Sequence, residues 1–149
     1  MSEDELIACI DWVAHGFEIV HSVFPGWTFA AVDAVAAYGV HGALLLGDRH
    51  PISEQLTDWR EALSGFSVEL VRDDGLRRSG HARHVLGGPL RALGFLVEEL
   101  ARYPASKPLG AGEIVTTGTL TEAMPAIAGQ TWNTQLVGID IRGLRLRLQ

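Results

Sequence analysis

Cysteine is nearly absent from this sequence, because Cys9 is the only one among 149 residues. A single cysteine forms neither a disulfide nor a thiolate metal site within one chain, which excludes the disulfide-stapled secreted domains. No apolar run approaches the ~18 residues that a membrane-spanning helix needs, and the acidic start MSEDEL is unlike the basic start of a signal peptide. We therefore expect a soluble, cytoplasmic protein with no membrane partner.

Clusters of positive charge are also missing. The formal net charge is -6 at pH 7, and no block of lysine or arginine interrupts the sequence. Nucleic acids and anionic membranes attract basic surfaces, so neither is expected as a partner. A full phosphate-binding or dinucleotide-binding glycine motif is lacking as well, and the glycines in LGGPL are better explained as the start of a helix.

What remains is the composition of an ordinary globular protein, with 47% hydrophobic and 20% charged residues. This length and composition predict one domain over residues 1–149. Ser2 and Glu5 form a capping-box pattern, which predicts a helix whose apolar face runs to Val13. A strand is predicted over FEIVHSVF, closed by a turn at Pro25-Gly26, and a short helix over 28–40, ended by Gly39. HGALLLGD reads as a fully buried strand, and 49–59 as a loop.

The second half of the sequence favours strands. Alternating residues from Phe66 onward, with Asp73-Asp74-Gly75 between them, predict a β-hairpin. Pro89 marks the start of an amphipathic helix that stops before Pro104. Three β-type stretches follow after 112, and GLRLRLQ alternates apolar and basic residues, as an antiparallel strand with one exposed face does. The predicted class is α+β, with a helix packed on a twisted sheet.

The strand around Glu18 carries the first candidate site, since His15 and His21 flank this glutamate. Burying an ionised carboxylate costs several kcal/mol unless it is paired, hydrogen-bonded or bound to a metal. Alternate residues of a strand point to opposite faces, so both histidines should point away from Glu18. This parity argues against a His-Glu-His metal site and favours a solvated or hydrogen-bonded glutamate.

Two further groups of residues are open to two interpretations. His81 and His84 have opposite strand parity and lie among arginines, which favours an exposed basic strand over a ligand contact. Thr117, Gly118 and Thr119 offer hydroxyl and backbone N-H donors that suit a carboxylate ligand. The same three residues are also ordinary for a turn next to β-structure.

A family resemblance emerges when the motifs are taken in order. FEIVHS with its glutamate, Trp27, the predicted helix around Asp33, HGALLLG, VLGGPLRALGFLVEELA and LGAGEIVTTGTLTEAMPAIAGQTW are similar to the fumarylacetoacetate hydrolase superfamily. They resemble most the branch of 2-hydroxypentadienoate hydratases and 4-oxalocrotonate decarboxylases. The resemblance covers nearly the whole chain and the C-terminal part of a typical member. It implies the C-terminal part of a mixed β-roll or sandwich with flanking helices.

The resemblance also implies a chemistry. Members bind Mg²⁺ or Mn²⁺ through a Glu-x-Glu pair and a third carboxylate, and Glu18 falls on this third position. The cation polarises a 2-oxo acid and stabilises an enolate-like intermediate. By the same resemblance Thr117, Gly118 and Thr119 bind substrate, and Asp33 is a second catalytic carboxylate beside the ligands. The sequence holds no counterpart of the Glu-x-Glu pair.

Several positions depart from the pattern of the superfamily. Val23 stands where an arginine usually follows the serine, and Thr28 where a basic residue often follows the tryptophan. Ala37 and Tyr38 replace an Asp-Asn pair. These changes and the missing Glu-x-Glu pair predict that the chain does not carry out metal catalysis unaided.

Three functions therefore remain in view. The first is a lyase, a hydratase or decarboxylase acting on a small unsaturated 2-oxo acid. The second is an inactive or accessory homologue that pairs with a full-length relative or binds a small acid. The third is a repurposed, metal-free enzyme with His15, His21 or His84 as acid-base group. A fold that lacks part of its sheet cover bares apolar surface, so we expect a homo-oligomer or a heteromer with a related chain.

Overall fold

The computed structural model describes residues 1–52 and 56–149. Its helices are α1 (Glu3–Ile7), α2 (Ala31–Ala36), α3 (Leu56–Gly65) and α4 (Pro89–Arg102), with single 3-10 turns at Pro25–Trp27, Tyr38–Val40 and Ala82–His84. Its strands are β1 (Trp12–Val13), β2 (Gly16–Val20), β3 (His41–Leu46), β4 (His50–Pro51), β5 (Ser67–Arg72), β6 (Arg77–His81), β7 (Thr131–Val137) and β8 (Arg145–Arg147). No helix in these ranges is long and apolar enough to cross a membrane.

Helices α1, α3 and α4 enclose the best-buried core. Ile7, Ile52, Leu63 and Leu90 form its centre and are almost completely buried. The predicted capping box is present, since the Ser2 hydroxyl accepts a hydrogen bond from the backbone of Glu5 and the Glu5 carboxylate accepts one from the backbone of Ser2. Helix α4 begins at Pro89 and ends before Pro104, as its pattern predicts.

The main sheet is antiparallel, with strand order β6-β5-β7-β8. The predicted hairpin is β5-β6, and Gly75 supplies the positive φ of +91° that its turn requires. Val68, opposite Gly80, lies on the covered face of the sheet, whereas Glu69 lies on the open face, where Arg77 pairs with it at 2.6 Å. The sheet therefore has the one-sided burial that its alternating sequence predicts.

Residues 16–46 form a separate arm. Strands β2 and β3 pair only with each other, and α2 lies in the connection between them. Among the described residues, no hydrogen bond joins residues 16–46 to the rest of the chain. The base of the arm is closed just outside it, where the backbone N-H of Gly47 donates to the carbonyl of His15 at 2.9 Å.

The bounds predicted for the first helix and for the segment 49–59 are wrong. Helix α1 ends at Ile7, well before Val13, because Trp12 and Val13 pair with β4 in a small second sheet. The segment 49–59, predicted as a loop, contains β4 and the start of α3, apart from residues 53–55, which lie outside the described residues. Helix α3 buries Leu63 against α1 and α4. This packing stabilises a helix in a segment whose polar sequence had suggested a loop.

The prediction for HGALLLGD is half right. It forms strand β3, but the strand is mostly exposed and only Leu44 is half-buried. The reason is that β3 pairs with β2 alone and nothing in the described chain packs over it. The short helix predicted before it ends at Ala36 rather than at a Gly39 cap, and Gly39 lies instead in the following 3-10 turn.

Only two of the three β-type stretches predicted after 112 form strands, namely β7 and β8. The third, which contains Thr117, Gly118 and Thr119, has no regular structure. Its backbone follows the covered face of the main sheet and includes Gly118 at φ +116°. That conformation is incompatible with an extended strand, which explains the wrong prediction.

Candidate functional site

Glu18 lies in the middle of β2, and its partner is a histidine. Oε1 of Glu18 is 2.9 Å from Nδ1 of His41, the first residue of β3. A bulge between the pairings of Ile19 and Val20 brings His41 opposite Val20. A carboxylate only accepts hydrogen bonds, so Nδ1 carries the proton, and Nε2 of a neutral His41 is an acceptor. Side-chain exposures of 32% for Glu18 and 44% for His41 leave the pair in contact with solvent.

Sequence reasoning missed His41. Its only signal was its position at the start of the next predicted strand, and pairing it with Glu18 needs the register and the bulge. The apolar strand tolerates the carboxylate of Glu18 because this group is hydrogen-bonded to His41 and partly exposed to solvent.

His15 points away from Glu18, as strand parity predicts. Its Nε2 is 2.8 Å from the hydroxyl of Thr134 on β7, and this hydroxyl also accepts a hydrogen bond from the backbone N-H of Leu144 at 2.8 Å. Burial lowers the pKa of His15, which favours the neutral ring. His15 therefore links the base of the arm to the main sheet.

His21 and Asp33 also lie on or beside the arm's strands, but the structure does not bring them to Glu18. His21 is exposed, and its backbone N-H donates to the carbonyl of Val40 at 2.8 Å. The carboxylate of Asp33 accepts a hydrogen bond from the backbone N-H of Ala30 at 2.8 Å and so caps the first turn of α2. In the described part of the chain, no hydrogen bond connects either side chain with Glu18.

The hydroxyl-rich segment lies against the main sheet. A Cβ placed on Gly80 of β6 would overlap the carbonyl of Leu120, and one placed on Gly118 would lie 3.1 Å from a methyl group of Val85. Thr117 is half-buried and Thr119 is exposed. Two close backbone approaches thus fix the three candidate substrate-binding residues, although no hydrogen bond in the described chain joins them to Glu18.

His81 and His84 lie together, contrary to their strand parity, because β6 ends at His81 and a 3-10 turn follows. Their ring centroids are 6.2 Å apart. Nδ1 of His81 accepts the backbone N-H of Arg83, and Nδ1 of His84 accepts the backbone N-H of His81. With Nδ1 of each ring accepting a hydrogen bond, Nε2 carries the proton, so each ring offers a hydrogen-bond donor at the open face of the sheet.

The described residues do not fit a Mg²⁺ or Mn²⁺ site by themselves. Such cations are held by several oxygens, usually including more than one carboxylate or a substrate oxygen. In residues 1–52 and 56–149, no three His, Cys, Asp or Glu side chains come together closely enough to hold a metal ion. Glu18 is a single carboxylate that already accepts a hydrogen bond from His41.

Comparison with known proteins identifies relatives that match more than nine tenths of the chain. No protein-family model matches it. It is 31% identical to 2-keto-4-pentenoate hydratase 2 of Dechloromonas aromatica over 135 residues, which are 91% of this chain and 49% of the relative. It is 27% identical to 2-hydroxyhexa-2,4-dienoate hydratase of Comamonas testosteroni, over 93% of this chain and 50% of the relative. The structure of 4-oxalocrotonate decarboxylase from Pseudomonas putida G7, complexed with magnesium and adipate, matches 99% of this chain and 52% of its own at a TM-score of 0.84 and 22% identity.

These similarities bear out the resemblance of the sequence to the hydratase and decarboxylase branch of the fumarylacetoacetate hydrolase superfamily. The structural match confirms the predicted α+β fold of this superfamily. The same decarboxylase complexed with calcium and acetate matches with a TM-score of 0.80. The chain spans about half the length of the curated superfamily members it matches.

Proposed function

We propose that this chain forms part of a lyase, a hydratase or decarboxylase, that acts on a small unsaturated 2-oxo acid. The observation that carries the proposal is the similarity to 2-keto-4-pentenoate hydratase 2, which extends over 91% of the chain at 31% identity. Matches to a second hydratase and to the fold of a decarboxylase support the broader class of lyases.

The proposed roles follow from the chemistry that the two lyase reactions share. Hydration of a conjugated 2-oxo acid and loss of CO₂ from one both build negative charge on the 2-oxo oxygen, which hydrogen-bond donors stabilise. Thr117 and Thr119 supply hydroxyl donors and Gly118 a backbone N-H. Glu18, held by His41 at 2.9 Å, supplies a carboxylate that exchanges protons with substrate or water.

In this proposal the remaining polar groups come from polypeptide beyond the described residues. The resemblance implies a divalent cation, but the described chain offers a single suitable carboxylate, Glu18. Any Mg²⁺ or Mn²⁺ would therefore need ligands from a related chain. Asp33 can serve as a neighbouring acid only if its carboxylate gives up the hydrogen bond from the backbone N-H of Ala30 that caps α2.

The test measures the turnover of 2-keto-4-pentenoate with and without Mg²⁺. Turnover is monitored as the loss of the substrate's conjugated absorbance. The assay is run on the chain alone and together with the part of 2-keto-4-pentenoate hydratase 2 that lies outside the 135 matched residues. Glu18→Gln should lower the rate at least about 100-fold, the size of a lost acid-base group. Glu69→Gln is the matched control, because Glu69 pairs with Arg77 on the open face of the sheet and should leave the rate unchanged.

Equal rates in the wild-type and Glu18→Gln chains would refute the role of Glu18, and no turnover in either setting would refute the lyase proposal. The second outcome would favour an accessory homologue that binds a small acid, which is supported by the presence of one carboxylate, Glu18, at the candidate metal position. Calorimetry with pyruvate separates these cases, since an accessory homologue binds the acid without converting it.

A further inference from the structure

The open face of the main sheet carries a polar cavity of about 460 Å³ that the proposed function leaves unused. Gly80 of β6 faces Leu120 on the covered side, so its neighbours along the strand face the opposite side. The cavity is bordered there by side chains from β5, β6, β7 and the turn that follows β6, namely Ser67, Ser79, His81, His84, Gln135 and Val137. Among the residues that border it in the described chain, neither Glu18 nor His41 occurs. The cavity is therefore separate from the candidate site around Glu18.

Two histidines each present a hydrogen-bond donor to this cavity. Nδ1 of His81 accepts the backbone N-H of Arg83 at 3.1 Å, and Nδ1 of His84 accepts the backbone N-H of His81 at 3.3 Å. A ring nitrogen that accepts a hydrogen bond carries no proton, so the proton of each ring is on Nε2. Among the hydrogen bonds within the described residues, none involves Nε2 of either ring. The backbone thus orients both rings and leaves both Nε2-H groups available to a ligand.

The surroundings of the two rings are basic, although the chain as a whole is acidic. Residues 75–97 contain four arginines and no aspartate or glutamate, in a chain with a formal net charge of -6. Arg83 lies in the turn between the two histidines and is exposed. Glu69 also borders the cavity, but it pairs with Arg77 at 2.6 Å, which compensates its charge. Donors in basic surroundings favour a ligand that is negatively charged and accepts hydrogen bonds.

The same geometry disfavours a metal ion in this cavity. A histidine binds a metal through an unprotonated ring nitrogen. In both rings that nitrogen is Nδ1, which already accepts a backbone N-H. Within residues 1–52 and 56–149, moreover, no third His, Cys, Asp or Glu joins the two histidines closely enough to complete a metal site.

We propose that this cavity binds a small oxyanion, a carboxylate or phosphate group, between the Nε2-H groups of His81 and His84. The ring centroids are 6.2 Å apart. Two donors that each lie about 2.8 Å from an oxygen of the same carboxylate or phosphate are separated by roughly 5–8 Å, so one such group fits between the rings. The hydroxyls of Ser67 and Ser79 and the amide of Gln135 offer further donors along the cavity wall. The site goes beyond the proposed function, because it lies on the other face of the sheet from the segment with the candidate substrate-binding threonines.

The test is a titration of the complete ¹⁵N-labelled chain, followed by the NMR signals of the histidine rings. Sodium phosphate and sodium acetate are the two probes, and sodium chloride at matched ionic strength is the reference. Without a probe, His81 and His84 should show an unprotonated Nδ1 and a protonated Nε2. Either probe should then shift both Nε2-H signals in a saturable way and leave those of the exposed His21 unchanged. A stronger response to phosphate identifies a phosphoryl ligand, and a stronger response to acetate identifies a carboxylic acid.

Replacement of both histidines by asparagine, His81→Asn with His84→Asn, tests the two donors. The amide oxygen of asparagine can accept the backbone N-H that Nδ1 accepts, but no group replaces Nε2-H. The doubly substituted chain should bind the better probe at least about tenfold more weakly. Binding is measured on the backbone amide signals of Ser67 and Gln135, which both proteins retain. If the double variant fails to fold, His84→Asn alone tests one donor with the cap of His81 in place.

His21→Asn is the matched control, since His21 is an exposed histidine outside the cavity, and its affinity should stay within about twofold of the wild type. Several results would overturn the proposal. Neither probe shifts the rings beyond the effect of chloride, or the double variant binds as tightly as the wild type. A proton on Nδ1 of both rings in the free chain would remove the proposed donors. A saturable response to Zn²⁺ alone would make the two histidines metal ligands instead.

Discussion

Replacement of Gly80 by alanine perturbs the predicted substrate-binding segment at the point where it crosses the main sheet. Gly80 is buried in β6, and a Cβ at this position would overlap the carbonyl carbon and oxygen of Leu120. A backbone carbonyl does not rotate away as the end of a long side chain does. Either β6 or the segment that holds Thr117 and Thr119 must therefore move.

The magnitude follows from two opposing terms. Overpacking at a close contact costs about 1–3 kcal/mol, whereas removing a glycine from the unfolded chain stabilises the protein by about 0.4–1 kcal/mol. The net loss for Gly80→Ala is about 1–2 kcal/mol. For a chain of this length it corresponds to a fall in Tm of about 2–8 °C. Urea unfolding followed by circular dichroism measures the free energy, and a thermal melt measures Tm.

Gly65→Ala is the matched control. Gly65 is the last residue of α3, it is exposed, and nothing lies within 4 Å of a Cβ placed on it. The control should be as stable as the wild type or slightly more stable. If Gly80→Ala proved as stable as Gly65→Ala, the close approach of Leu120 to β6 would be refuted. If Gly80→Ala is destabilised but binds pyruvate normally, β6 has moved rather than the segment that holds Thr117 and Thr119.

Other perturbations give further predictions. Burial lowers the pKa of His15, so the folded state binds fewer protons than the unfolded state, and stability should fall as the pH drops below about 6.5. Urea unfolding midpoints measured from pH 7.5 to 5 should depend less on pH in His15→Gln than in the wild type. An unchanged pH dependence would contradict the assignment to His15. The Arg72 guanidinium lowers the pKa of Asp74 to about 2, so the stability this pair contributes is present above about pH 4 and is lost between pH 4 and 2. Acid unfolding of Asp74→Asn should lack this contribution. An acid unfolding curve of Asp74→Asn that matches the wild type would exclude a contribution of the pair to stability. His41→Ala removes the hydrogen-bond partner of Glu18 from a half-exposed pair and should change the unfolding free energy by less than about 1 kcal/mol. A larger loss in urea titration would mean that the pair is buried in solution.

The elements that the sequence predicts correctly are those with local physical causes. The hairpin follows from alternation and from a turn that needs Gly75, and the start of α4 follows from the fixed φ of Pro89. The capping box of α1 depends on two side chains three residues apart. In each case the decisive contacts lie within a few residues, so single-sequence reasoning has access to them.

The candidate site was less predictable because it depends on pairings across long separations. Glu18 is found by its charge in an apolar strand, but His41 is 23 residues away and reaches it only through the bulge in the β2-β3 pairing. The approach of Leu120 to Gly80 likewise depends on how a segment without regular structure crosses the sheet. Neither relation has a periodicity that a sequence pattern can show.

The prediction of a buried β3 was wrong for a different reason, because its sequence has the pattern of a covered strand while the strand itself is mostly exposed. An unbroken run of Ala43, Leu44, Leu45 and Leu46 is typical of strands covered on both faces, yet three of the four are exposed. A monomer with this surface would lose the favourable transfer of apolar area, about 25 cal/mol per Å². Within the described residues β3 pairs with β2 alone, so its pattern is that of a covered strand while its side chains are exposed. The hydrophobic pattern of β3 and the exposed apolar side chains of the arm therefore express one property, an apolar surface that no other element of the described chain covers.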